Sequence, residues 1–366
     1  MRRLGVGAAL VGEELVPGDV GIEGDRIVAV GLAGDGSGTA VPGFVDLQVN
    51  GFAGVDFGEA DADGVRRVAE TLVAYGTTAF QPTLITLATE DYVSAMKRLK
   101  SAEEQDMPAR MLGVHIEGPF LSPRRVGAHE PSLVRPPEPG LYERLAELGP
   151  LTYVTLAPEM PGALELIPRL VEMGVVVAIG HSDADAATAH AAFNAGARAV
   201  THLFNAQRPV HHRDPGITFA ALARRDVVVG VIADGVHLAA DTLRVVVNAA
   251  LDRMALVTDA VAPAGLGDGE HTLGGQRLFL SGLEVRLEGG TIAGSVLTMD
   301  AAVRNLIDAG APFEKAVACA TWIPAQLIGR PELGTLAPGT VADVVVLDDS
   351  LSVTRTLVGG AEVHRA

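Results

Sequence analysis

The sequence predicts an α/β fold, a (β/α)8 barrel of the TIM type with a small β-sandwich domain formed from both chain ends. Three observations carry this reading. Eight short, apolar, β-branched runs follow one another between residues 43 and 260. Segments with helical spacing separate them, as in DADGVRRVAETLVAYG (61–76) and DADAATAHAAFNAG (183–196). Both chain ends alternate polar and apolar residues and turn on glycine. Apolar runs between helices are the mark of parallel strands covered on both faces. Eight in succession favour a closed barrel over an open sheet.

Taken in order, residues 1–42 are short strands and turns, as in GDVGIEGDRIVAVG (18–31). The barrel runs follow: GFVDLQVN (43–50), TTAFQPTL (77–84), MLGVHIEG (111–118) and LTYVTLAPE (151–159). They continue with VVVAIGHS (175–182), ARAVTHLFN (197–205), VVVGVIADG (227–235) and ALVTDA (255–260). A glycine-rich excursion over 261–297 is expected to form a β-hairpin loop above the barrel mouth. Helices are expected at about 298–309 and 313–327. Residues 331–366 resemble the first 42 in pattern. Neither end holds enough apolar surface for its own core, so 1–42 and 331–366 are expected to pair as one small domain beside a barrel spanning 43–330.

The composition narrows the function. Of 366 residues, 48% are hydrophobic and 20% charged, which suits a large buried core. The formal net charge of −17 leaves no basic face to displace counterions, which argues against nucleic acid. An anionic small substrate would need a locally positive pocket. One cysteine, Cys319, cannot build a disulfide or a cysteine zinc site, and it is expected to be a buried apolar residue. The first residues meet Glu13 and Glu14 without a long apolar region, and no run reaches membrane-spanning length. A cytoplasmic protein without membrane contact is the expectation.

Chemistry in such barrels sits where the strands end. The polar residues there are Asp46, Gln48 and Asn50 in the first run, His115 and Glu117 in the third, and His181 and His202 in the fifth and sixth. Asp234 and Asp259 close the seventh and eighth. Barrel closure would bring these distant positions to one rim. A glutamate and two imidazoles there form a nitrogen and oxygen ligand set with room for water, the pattern of a catalytic zinc or similar divalent site. A buried carboxylate needs a partner. A metal would supply one for Glu117, and a metal-held water one for Asp259. His115 is expected to pack rather than ligate. His190 is expected to face solvent or the barrel wall, and His211 and His212 to lie in a solvated turn.

The ordered motifs VPGFVDLQVNG, HIEGPFLSPRRVGAH, GHSDA, THLFNA, DPGI, ADGVHL and LVTDAVAPAG resemble the N-acetylglucosamine-6-phosphate deacetylases of the amidohydrolase superfamily. The likeness runs from about Val41 to Asp300, and GTLAPGTVADVVVLD near the end is similar to the superfamily's small β domain. The resemblance implies that Glu117, His181 and His202 hold one divalent metal ion per subunit. Zinc suits the set; iron, manganese and cobalt also fit it. It implies Asp259 as the catalytic acid and base, and His129 as the residue that polarises the substrate carbonyl. It implies Asn205, Ala206, His237 and Arg213 as contacts to a phosphorylated amino sugar. Arg213 would reach the ligand of a neighbouring subunit, which implies a homodimer. Many superfamily members carry His-x-His in the first strand and hold two metals. Here Gln48 and Asn50 stand instead, and LTYVTLAPE has no lysine to bridge a metal pair. The alternatives are a related amidohydrolase acting on another N-acyl substrate and a barrel that binds sugar phosphate without turnover.

Overall fold

The computed structural model describes residues 1–138, 140–273 and 275–366. Eight parallel strands form the barrel: β1 (Phe44–Val49), β2 (Thr77–Leu84), β3 (Val114–Glu117), β4 (Leu151–Leu156), β5 (Val176–Ile179), β6 (Ala199–Val200), β7 (Val228–Val231) and β8 (Met254–Leu256). Each pairs in parallel with its chain neighbour from β1 through β8. The seam between β8 and β1 closes just beyond the strand ends. Val49 bridges Ala260 in parallel, and the Asp259 N–H donates to the Gln48 carbonyl at 2.9 Å.

Helices cover the outside. Helix α1 (Ala62–Leu72) begins at Asp61, whose side chain accepts the Gly64 N–H at 2.8 Å. It buries Val65, Val68, Ala69 and Leu72, one face at helical spacing. The strands are buried on both sides, so their sequences read as continuous apolar runs. The outer layer continues with α2 (Thr89–Glu103), α3 (Leu141–Leu148), α4 (Ala163–Glu172), α5 (Ala186–Asn194), α6 (Gly216–Leu222) and α7 (Ala240–Ala250). Helices α8 (Met299–Asp308), α9 (Phe313–Ala320) and α10 (Trp322–Leu327) follow.

Both chain ends contribute to one β layer. In a six-stranded sheet, Thr39–Pro42 lies between Val344–Leu347 and Ala8–Val11. A three-stranded sheet of Arg2–Arg3, Asp19–Glu23 and Arg26–Leu32 packs with it around Leu4, Val20, Ile22, Ile27, Val344 and Leu357.

Three details differ from expectation. The third and sixth runs hold shorter strands than their apolar length suggests: β3 begins only at Val114, after Gly113 takes a positive φ, and β6 stops at Val200, before the positive-φ residues His202 and Phe204. The single helix expected over 313–327 is two, broken at Thr321, whose backbone leaves the helical region. The 261–297 excursion is a four-stranded antiparallel sheet of Gly269–Leu273, Gln276–Ser281, Glu284–Leu287 and Ile292–Ser295 rather than one hairpin. It has its own apolar cluster of Val261, Leu273, Leu278, Leu280, Val285 and Ala293. Gly274, inside it, lies outside the described residues.

Asp19 pins the terminal layer. Its Oδ1 accepts the N–H groups of Gly5, Val6 and Val20, and its Oδ2 accepts Arg3 Nε at 2.9 Å. Burial pushes this carboxyl up, but the bonds from Val6, Arg3, Val20 and Gly5 outweigh it and hold the group below its usual range. A depressed native pKa stabilises the fold above the unfolded value, near 4, and the gain is lost as pH falls through the native one. Asp19→Ala leaves three N–H groups without their acceptor, at about 1–3 kcal/mol for each that water cannot reach. The expected result is a lower thermal midpoint at pH 7, with the gap to the wild type shrinking below about pH 4.

Candidate active site

The strand ends bring most of the marked residues to one cavity of about 530 Å³. Glu117 ends β3, His181 and His202 lie two residues past β5 and β6, and Asp259 lies three past β8. Gly180 turns the chain just before His181. A Cβ there would come within 2.8 Å of Thr201 and 3.0 Å of Thr155, so the apolar run of β5 has to end in glycine.

At the cavity floor, Glu117 Oε1 lies 3.1 Å from His181 Nε2 and 3.0 Å from His202 Nε2, and the two nitrogens are 3.1 Å apart. All three residues are buried. His181 Nδ1 is 3.0 Å from the Arg125 carbonyl oxygen, which can only accept. Nδ1 therefore carries the proton, and Nε2 presents a lone pair to the cluster. Donors about 2.0–2.1 Å from a tetrahedral metal would stand roughly 3.3 Å apart. The triangle is close to that size, and its donor types fit a divalent ion.

His129 also lies within 4.8 Å of Glu117 and His181, which makes it a rival ligand. Its tautomer decides against that. His129 Nδ1 accepts the Thr86 backbone N–H at 3.1 Å, so the neutral ring carries its proton on Nε2. Burial and the neighbouring His181 push its pKa down to about 3, so the ring is neutral near pH 7. Nε2, 3.9 Å from Glu117 Oε2, is a hydrogen-bond donor facing the cavity.

Asp259 Oδ1 accepts Asn50 Nδ2 at 2.7 Å and Gln48 Nε2 at 3.0 Å, and Gln48 Nε2 also donates to Glu117 Oε2 at 3.2 Å. The partner expected from a metal-held water is thus supplied in part by two amides. Gln48 and Asn50 turn N–H groups toward the carboxylates, the opposite polarity to a metal ligand. Burial, with the charge of Glu117, pushes Asp259 up to about 6. A base poised near neutrality suits proton transfer.

The backbone is strained at this rim. Of the seven non-glycine residues with positive φ among the described residues, five are His181, His202, Phe204, Ala206 and Asp259. Each such conformation costs on the order of 1–3 kcal/mol, and strain of this kind gathers at functional sites.

His115 packs as expected, between Thr83 Oγ1 at 3.3 Å and Thr155 Oγ1 at 2.8 Å, edge-on to Tyr153. Asn205, Ala206 and His237 line the cavity. His237 Nδ1 is 2.7 Å from Asp234 Oδ2, so Asp234 holds the ring with Nε2 free. Arg213 is exposed and outside the cavity lining, with Nη1 2.8 Å from His212 Nε2. Asp214, its neighbour in sequence, pairs with Arg208 at 2.8 Å. Sequence reasoning passed over Arg124, Arg125 and Arg286, all of which line the cavity. The adjacent arginines of SPRRVGAH were the one available signal. Arg286 arrives on the sheet above the mouth, which no local pattern ties to the rim.

The amidohydrolase family model matches residues 39–363. The human N-acetylglucosamine-6-phosphate deacetylase is 42% identical over 340 residues, covering 89% of this chain and 83% of that protein. An N-acetylgalactosamine-6-phosphate deacetylase of Escherichia coli O157:H7 is 36% identical over 324 residues, covering 87% of this chain and 86% of that protein. The N-acetyl-D-glucosamine-6-phosphate deacetylase of Mycobacterium smegmatis, solved as a mutant in complex with N-acetyl-D-glucosamine-6-phosphate, superposes with a TM-score of 0.94 at 37% identity, covering 99% of this chain and 98% of that one. This chain belongs to the amidohydrolase family, and within it to the N-acetylglucosamine-6-phosphate deacetylases.

Proposed function

We propose that the chain hydrolyses the acetamide of N-acetylglucosamine 6-phosphate to glucosamine 6-phosphate and acetate, in amino-sugar catabolism. One observation carries this: a three-donor cluster, a neutral imidazole N–H and a carboxylate held by two amides all face one cavity. Glu117, His181 and His202 hold a single divalent ion, with zinc the metal best suited to the set. That ion, when bound, makes hydroxide accessible at neutral pH and withdraws charge from the acyl oxygen.

The residues of the chain do the rest. Asp259 takes a proton from the attacking water as the water oxygen bonds to the acyl carbon. It then delivers that proton to the nitrogen as the carbon–nitrogen bond breaks, so the amine leaves neutral. His129 donates its Nε2–H to the acyl oxygen as negative charge grows there. His237, Asn205 and the Ala206 amide bind the sugar phosphate, and Arg213 reaches it from a neighbouring subunit of a homodimer. The exposure of Arg213 supports a role between subunits. A phosphorylated sugar does not cross membranes unaided, which supports a cytoplasmic enzyme. The E. coli relative named for the galactosamine epimer favours a second reading, with that epimer as substrate.

Acetate release from both epimers, assayed with metal content on the same sample, tests the proposal. The expected result is about one divalent ion per chain, loss of activity on chelation, and recovery on adding metal back. Asp259→Asn should lower kcat by at least about 100-fold while changing substrate affinity far less, as steady-state kinetics and equilibrium binding would show. Arg213→Ala should raise KM for the phosphorylated sugar by roughly 10-fold or more and leave the unphosphorylated sugar unaffected. An unchanged KM rejects its role.

A further inference from the structure

We propose that Asn50 grips the scissile amide: its side-chain oxygen accepts the N–H of the acetamide while its Nδ2 holds Asp259. The inference rests on the deacetylase reading and adds a specificity-determining residue to it.

Asn50 stands one residue past β1, is 3% exposed, and lines the cavity. Its orientation is dictated. Nδ2 lies 2.7 Å from Asp259 Oδ1, and a carboxylate oxygen there demands a donor, so the nitrogen faces Asp259 and the oxygen faces away. That Oδ1 is buried and has no hydrogen-bond partner among the described residues. Buried acceptors are nearly always satisfied, so an unpartnered one on a residue that lines the cavity points to a donor that arrives with the ligand.

The chemistry identifies the donor. Asp259 must pass its proton to the amide nitrogen, which places that nitrogen beside Asp259. The nitrogen already carries one hydrogen. Once the carbonyl is attacked, its lone pair must turn toward Asp259, so its N–H must point elsewhere. The two ends of the Asn50 amide meet both needs in one rigid plane. Nδ2 fixes the proton carrier, and Oδ1, next to it, takes the N–H. An oxygen ester has no such hydrogen and would leave Oδ1 unpaired, so the arrangement selects amides over esters.

The test compares the substrate with its ketone isostere, in which CH2 replaces the N–H and the bond cannot be hydrolysed. Both are measured on metal-loaded wild type, Asn50→Ala and Asn50→Ser, with metal content and thermal midpoint checked for each. KM for the amide should rise about 5- to 10-fold in the variants, the scale of one neutral hydrogen bond. The inhibition constant of the ketone should stay within about twofold of wild type. The ketone makes no demand on proton transfer, so a disturbed Asp259 cannot imitate this difference. Its disturbance appears in kcat instead. Equal weakening of both compounds, as from a sugar hydroxyl on Oδ1, overturns the proposal, and so does no weakening of either. Failure of both variants to fold assigns Asn50 a structural role and also overturns it. If the wild type releases no acetate from the amide, the deacetylase reading itself fails.

Discussion

A carboxylate oxygen and two imidazole nitrogens lie about 3 Å apart in a buried place, and that arrangement needs positive charge among them. Much of the rim follows from this requirement. The Arg125 carbonyl fixes the His181 proton on the far nitrogen, leaving a lone pair for the cluster. The Thr86 N–H does the reverse to His129, leaving a proton on the nitrogen that faces the cavity. Two histidines in one cavity thus take opposite polarities, each set by a single backbone group. One is suited to hold a cation and the other to meet a developing anion.

The barrel seam supplies the second half of the site. Where β1 and β8 close, Asp46 accepts Thr258 Oγ1 at 2.5 Å, and the Ser295 N–H donates to the Asp259 carbonyl at 2.9 Å. These bonds hold Asp259 at a positive φ of 51° beside Gln48 and Asn50. Gln48 joins Asp259 to Glu117 through one amide nitrogen. Two carboxylates that would repel one another are thereby bridged by a shared hydrogen-bond donor. Residues that look in sequence like the loss of a second metal site act in the structure as hydrogen-bond donors.

Charge is managed in the same local way. The chain carries −17 overall, yet its cavity is lined by Arg124, Arg125 and Arg286. Each is tethered by a carboxylate: both arginines of the loop to Asp183, and Arg286 to Glu284. Such pairing fixes where a cation stands, at the cost of part of its field. Groups held this way suit the orientation of an anionic ligand more than its long-range capture.

The alternation of apolar runs with helical spacing was enough to specify the barrel, because burial on both faces of a parallel strand writes itself into local composition. Glu117, His181, His202 and Asp259 stood out because each ends an apolar run where an unpaired polar group would be costly. His129 lies in a loop after β3, in a stretch without periodicity, and only the family motif marked it. Arg286 was hidden by its distance along the chain. The roles of Gln48 and Asn50 were also out of reach, since an amide shows no polarity until its neighbours fix which end they face. The sequence by itself determined which strand-end residues reach the rim, for strand periodicity and burial are local. Which nitrogen bears a proton, which amide end faces a carboxylate, and which backbone takes a positive φ were decided only by the tertiary structure, because these depend on partners brought together from distant parts of the chain.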